Sequence, residues 1–252
     1  LTTRKDISSF GFLTARPIAH RGLHDEQAGV VENTESAFSA AIAARYAIEC
    51  DLQITREGEA VVFHDESLER LTLARGEVRD LTVQELKAVA FRNSPDRIQT
   101  FREFLEQVGG TVPLVIELKT HWDGDERLVR RAIDLLRAYR RPHVLMSFDP
   151  DIVAAIARLS PSTVRGIVAE RAFDPYYEKL PLSRRQELRN FSHIGRSKPD
   201  FVSFYFEDLP WAPITALRSA GMPIVTWTIR SPEQAQAALR HSDQITFEGF
   251  LP

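Results

Sequence analysis

The chain has 252 residues, 43% of them hydrophobic and 27% charged, with a formal net charge of −3. That length suits one α/β unit with a real core, and the small negative charge gives no electrostatic reason to expect nucleic acid as a partner. Its one cysteine, Cys50, excludes an intrachain disulfide framework, and no apolar run approaches the ~20 residues that span a bilayer, so stable membrane insertion is not expected. A cytoplasmic protein fits, with export left open because the chain begins at Leu1 rather than Met.

Runs rich in Val and Ile alternate with helix-period segments, the pattern of parallel strands joined by crossover helices. Residues 17–20 read as the first strand. Asn33-Thr34 can cap a helix with Ala37, Ala40, Ala41 and Ala44 along one face, and residues 46–51 follow as the second strand. Six more strands are expected at 112–119, 143–147, 164–168, 200–204, 222–228 and 244–247. Between them, Leu128, Ala132, Leu135, Leu136 and Tyr139 share a helical face, as do Ile152, Ile156 and Leu159, and Ser231-Pro232 is a cap followed by proline at the first helical position.

One stretch breaks the rhythm. Residues 52–55 and 60–64 are separated only by Arg56, Glu57, Gly58 and Glu59, too few for a parallel crossover, so they form a hairpin. Capping boxes at Thr82 to Glu85 and Thr100 to Glu103 open two helices beyond it. The reading is therefore a (β/α)8 TIM barrel over residues 1–252, with residues 52–99 inserted between strand two and its helix. Residues 248–252 are too few for an eighth full helix, which is missing or lies further on.

Side chains alternate along a strand, so Glu49 and Asp51 project together, about 6–7 Å apart, with Cys50 on the other face. Glu117 and Lys119 share the inner face of the next barrel strand. All four fall near carboxyl strand ends, where barrel active sites lie. Three adjacent acids repel one another unless a cation joins them, and an all-oxygen set of Glu49, Asp51 and Glu117 suits one divalent ion, Mg²⁺ or Ca²⁺. The alternative is an acid set paired with interior Lys and Arg.

His20 ends strand one and His64 ends the return arm of the hairpin, so two imidazoles reach the same mouth. Cleaving a phosphodiester takes a base for the attacking oxygen and an acid for the departing one, and imidazole titrates near neutral pH. Arg21 and Lys119 would neutralise the phosphate, Arg21 through its planar fork. Trp227 is expected to point inward near the end of strand seven, as an apolar surface for substrate or as barrel filling. His24, His121, His143, His193 and His241 read as structural or surface groups.

His20-Arg21-Gly22, Glu32-Asn33-Thr34, Glu49-Cys50-Asp51, His64-Asp65 and Glu117-Leu118-Lys119 together resemble the glycerophosphodiester phosphodiesterase family, over residues 17–247. The resemblance implies a barrel with a small inserted subdomain and a divalent ion on Glu49, Asp51 and Glu117. It also implies His20 and His64 as the acid–base pair, Arg21 and Lys119 on phosphate, and Asn33 shaping the mouth. Its small-molecule substrates are glycerophosphodiesters, cleaved to sn-glycerol 3-phosphate and an alcohol. Leu71, Arg230 and residues 244–248 depart from the family pattern and touch neither the acid–base nor the metal set. Two other readings stay open: a phospholipase D-like or phosphoinositide-cleaving enzyme acting on intact lipid, and a phosphate-binding barrel without catalysis.

Overall fold

The computed structural model describes residues 11–173 and 175–252. Its strands are β1 (Ile18–Ala19), β2 (Ala47–Ile54), β3 (Ala60–Val62), β4 (Leu114–Leu118), β5 (His143–Ser147), β6 (Arg165–Ala169), β7 (Phe201–Tyr205), β8 (Ile224–Ile229) and β9 (Gln244–Phe247). Among the described residues, all but β3 pair in parallel, and the ring closes where Ile18 of β1 faces both Ala47 of β2 and Thr246 of β9. This is the closed eight-stranded (β/α)8 barrel that the alternation of strands and helices predicts.

The helices are α1 (Phe12–Ala15), α2 (Glu35–Ala43), α3 (Val83–Ala88), α4 (Phe101–Val108), α5 (Arg127–Leu136), α6 (Pro150–Leu159), α7 (Leu182–Arg189), α8 (Ile194–Ser197), α9 (Ala212–Ser219) and α10 (Pro232–Ala238). Both capping boxes form: the Thr82 and Thr100 hydroxyls accept from the amides of Glu85 and Glu103, and the threonine backbone N–H groups donate to the carboxylates of Glu85 and Glu103 in return. Ser231 caps α10 with Pro232 behind it. Thr34 also stands at an N-cap position, but its hydroxyl donates to the Val31 carbonyl at 2.7 Å, so it makes no capping bond to α2. The turn before α2 is tied backwards because Asn33, at φ +56°, has its side chain committed to the barrel mouth.

Alternation along the strands sorts the core into layers. Ile18, Ala47, Val115, Val144, Val164, Phe201 and Val225 fill the barrel interior, while Ile48, Cys50, Leu52, Ile116 and Leu118 pack outward against α2, α4 and α5. Leu13 of α1, 1% exposed, joins the interior set and helps to stop the barrel floor, a contribution the sequence pattern did not reveal. Along β2 the inward positions run Ala47, Glu49, Asp51, and along β4 they run Val115, Glu117. Each strand is thus apolar at the floor and charged at the mouth.

β2 outruns its barrel neighbour β1, and its last residues pair antiparallel with β3, Leu52 opposite Val62 and Ile54 opposite Ala60. The hairpin and the chain that follows hold their own apolar cluster of Val31, Val61, Phe63, Leu68, Val78, Leu86, Phe91 and Ile98. That cluster sets Phe63 rigidly, and His64 is the next residue. Gly22 works similarly on the other side: at φ +80° it lies so near α2 that an added Cβ would come 2.9 Å from Ala37, so the turn after His20 closes tightly onto the helix.

His193 stands just before α8, 1% exposed, with Nδ1 2.9 Å from the Ser197 hydroxyl oxygen. Burial, followed by the charge of Arg184, pushes its imidazole down to about 4. The unfolded chain takes up that proton near pH 6.5, so between pH 6.5 and 4 the unfolded state binds more protons and stability falls as pH drops, by ~1.4 kcal/mol per pH unit. Denaturant unfolding at pH 7 and pH 4.5 is expected to show His193→Gln losing about 2–3 kcal/mol less than the wild type across that interval. Equal pH dependence in the two proteins would contradict this reading of His193.

Candidate active site

At the carboxyl ends of the strands, a cavity of about 730 Å³ opens among His20, Arg21, Glu49, Asp51, His64, Glu117, Lys119 and Trp227. These are the expected site residues save one. Asn33 is not among the lining residues: it is 1% exposed, and its amide donates to Asp51 at 2.8 Å, so it reaches the site through that carboxylate.

The acids lie on two paired strands, with Asp51 opposite Glu117 in register. Carboxylate oxygens of Glu49, Asp51 and Glu117 fall within 4.8 Å of one another, and all three residues are buried. Two cations partly answer them. Lys119 Nζ is 2.7 Å from Asp51 and 2.6 Å from Glu117, and Arg21 gives its backbone N–H to Glu49 at 3.0 Å while its guanidinium faces Asp51 and Glu32. For Asp51 burial opposes the charge, but Lys119, His64 and Arg21 outweigh it and hold the carboxyl well below the usual range. Glu49 goes the other way: burial, then the charges of Asp51 and Glu117, push its carboxyl well above the ordinary value. The third acid is thus short of positive charge. An all-oxygen donor set with that deficit fits a hard divalent cation.

Each histidine carries a carboxylate on Nδ1. His20 donates to Glu248 at 2.6 Å and His64 to Asp65 at 2.6 Å, which leaves the two Nε2 atoms as the rings' other proton-exchanging positions. Burial, then the neighbouring Arg21 charge, pushes the His20 imidazole down to about 4 against the pull of Glu248, so the ring is neutral at pH 7. His64 is further fixed at its backbone, where Gln53 donates to its carbonyl at 3.0 Å. Arg70 clamps Asp65 at 2.6 and 2.9 Å and Glu32 at 2.7 and 3.0 Å, tying the His64 partner to the Arg21 partner.

Glu248 and Asp65 contact the expected site residues His20 and His64 without being among them, and Arg70 contacts Asp65 in turn. Glu248 directly follows β9, an acid at a barrel strand end, and that position is the signal that could have found it. His24, expected to be structural or at the surface, lies beside the site, with Nε2 3.5 Å from Glu248. Arg230 bonds Glu248 Oε1 at 2.8 Å and is not among the residues lining the cavity. The outer wall comes from Phe148, Glu170, Tyr176, Tyr177 and Lys179. Trp227 packs edge-on to Phe148 at 5.7 Å and donates its indole N–H to Ser203 O.

Paired histidine–carboxylate dyads beside buried acids and cations at a barrel mouth suit the hydrolysis of an anionic ester. A model of the Glycerophosphoryl diester phosphodiesterase family matches residues 20–243, so the chain belongs to that family and is a phosphoric diester hydrolase. It is 27% identical over 235 residues to a glycerophosphodiester phosphodiesterase of Caldanaerobacter subterraneus subsp. tengcongensis, covering 88% of this chain and 89% of that one. A glycerophosphodiester phosphodiesterase of Bacillus subtilis is 28% identical over 207 residues, covering 73% of this chain and 67% of the relative. The fold matches that of an Oleispira antarctica phosphodiesterase in complex with the product sn-glycerol 3-phosphate, with a TM-score of 0.77 at 19% identity and coverage of 94% and 95%.

Proposed function

We propose that this enzyme hydrolyses glycerophosphodiesters to sn-glycerol 3-phosphate and an alcohol, with His20 as general base and His64 as general acid. The observation that carries the reading is the convergence of two histidine–carboxylate dyads, three buried acids, Arg21 and Lys119 on one cavity. The names of the relatives, and the product held by the Oleispira antarctica protein, support the substrate class.

Neutral His20, its Nδ1 proton engaged by Glu248, offers Nε2 to the proton of the attacking oxygen. Glu248 stabilises the imidazolium that forms. His64 gives a proton from Nε2 to the departing alcohol oxygen while Asp65 holds its ring. Arg21 and Lys119 draw the phosphate into the mouth and balance its charge. Asn33 fixes Asp51, and Trp227 offers a flat apolar wall to the carbon part of the substrate. Glu49, Asp51 and Glu117 would hold one Mg²⁺ or Ca²⁺, which supplies charge neutralisation at the phosphoryl group. Residues 52–99 act as an inserted subdomain of the barrel, and their task is to deliver His64; of the expected domain bounds 1–252, residues 1–10 lie outside the described residues.

The test is turnover on a panel of glycerophosphodiesters, glycerophosphocholine and glycerophosphoethanolamine among them, at saturating Mg²⁺ or Ca²⁺. Hydrolysis of at least one member is expected. Tight binding with no hydrolysis of any would leave a binding barrel instead.

A further inference from the structure

The mouth holds a second cluster able to ligate a metal, and its donor chemistry differs from the first. His20 Nδ1, His24 Nε2 and a Glu248 carboxylate oxygen lie within 4.8 Å of one another. Arg230 grips Glu248 Oε1, so Oε2 is the oxygen that faces both imidazoles, 2.6 Å from His20 Nδ1 and 3.5 Å from His24 Nε2. The His24 Nε2 atom is buried and makes no hydrogen bond, and it is aimed at that oxygen. A tetrahedral ion with ligand bonds near 2.1 Å sets its donors about 3.4 Å apart. The His24 edge already has that length, and the His20 edge reaches it by opening roughly 0.8 Å.

We propose that His20, His24 and Glu248 form an inhibitory site for a borderline transition ion such as Zn²⁺, separate from the all-oxygen set of Glu49, Asp51 and Glu117. Two imidazoles and one carboxylate are a donor set suited to zinc, with water in the fourth position, whereas three carboxylates favour Mg²⁺ or Ca²⁺. Arg230 beside Glu248 works against a second cation, so the site fills only when zinc rises and does not hold it permanently. Binding at His20 Nδ1 moves the ring's one proton, shared with Glu248, to Nε2 by exchange through solvent, so the ring stays neutral. With Nδ1 ligated, the neutral ring carries its proton on Nε2, and the base becomes a donor. Zinc thereby switches the enzyme off without touching the other cation site. This consequence rests on the proposed role of His20 as base, while the binding itself does not.

The experiment pairs zinc binding with zinc inhibition at saturating Mg²⁺. Equilibrium dialysis against Zn²⁺ is expected to show one zinc per wild-type chain and none in His24→Gln. His24→Gln is expected to keep its basal turnover of glycerophosphocholine, with the zinc concentration for half-inhibition raised about tenfold or more. Failure of wild-type chain to retain zinc, or relief of inhibition by excess Mg²⁺, would overturn the site. An unchanged half-inhibition in His24→Gln would do the same. Zinc retained through His24 with no effect on turnover overturns the switch, and absence of turnover without zinc strikes only at the proposed activity.

Discussion

Replacing His20 or His64 by alanine is expected to cut kcat by about 10²–10⁴-fold, the range that proton transfer by a positioned side chain contributes. The two losses are not expected to multiply in the double variant, because a base without its acid, or an acid without its base, leaves the same concerted step unassisted. Both side chains are partly buried at the cavity wall and neither belongs to an apolar cluster of the core, so unfolding midpoints should stay close to the wild type. Steady-state release of glycerol 3-phosphate measures the effect. A variant retaining a tenth or more of wild-type kcat would remove that histidine from the chemistry.

Exhaustive chelation is expected to bring turnover to background, with activity restored by Mg²⁺ or Ca²⁺. Asp51→Asn should act in the same direction and not be rescued by added ion. Asp51 is the hub of the acid set: it faces Lys119 and Arg21, accepts from Asn33, and pairs with Glu117 across the strands. Removing its charge leaves two buried cations short of a partner, a change that costs about 3–5 kcal/mol for a broken buried pair. Thermal unfolding should therefore register Asp51→Asn, whereas chelation of the intact protein acts on turnover. Full activity after chelation would contradict the metal claim.

The barrel was legible because its signals are local. Period-two alternation in Glu49-Cys50-Asp51 and Glu117-Leu118-Lys119 says which residues face inward, and four residues between two apolar runs can only be a hairpin. His20 and His64 were legible for the same reason, as polar ends of apolar strands. What escaped depends on closure of the ring. Glu248 is 228 residues from His20 in sequence, and they meet because β1 pairs with β9. Arg70 reaches back 38 residues to Glu32, and so joins it to Asp65, by the packing of the hairpin region against the turn before α2. Thr34 misled as a cap because a capping residue type says nothing about which carbonyl its hydroxyl will find. Among the described residues no helix is long and apolar enough to cross a membrane, in keeping with the absence of an apolar run of that length.

The departures at Arg230 and residues 244–248, expected to touch neither the acid–base pair nor the metal set, do touch the acid–base pair: Glu248 accepts from His20 at 2.6 Å because β9 pairs with β1. Arg230 holds Glu248, and Glu248 holds His20, so two differences from the family pattern meet in one chain of contacts behind the proposed base.

The most direct measurement is phosphorus NMR of the products formed from glycerophosphocholine by the metal-loaded enzyme. sn-Glycerol 3-phosphate is expected as the only phosphorus-bearing product, with its formation lost in His20→Ala and His64→Ala. Phosphocholine and glycerol in place of glycerol 3-phosphate would contradict the proposed cleavage.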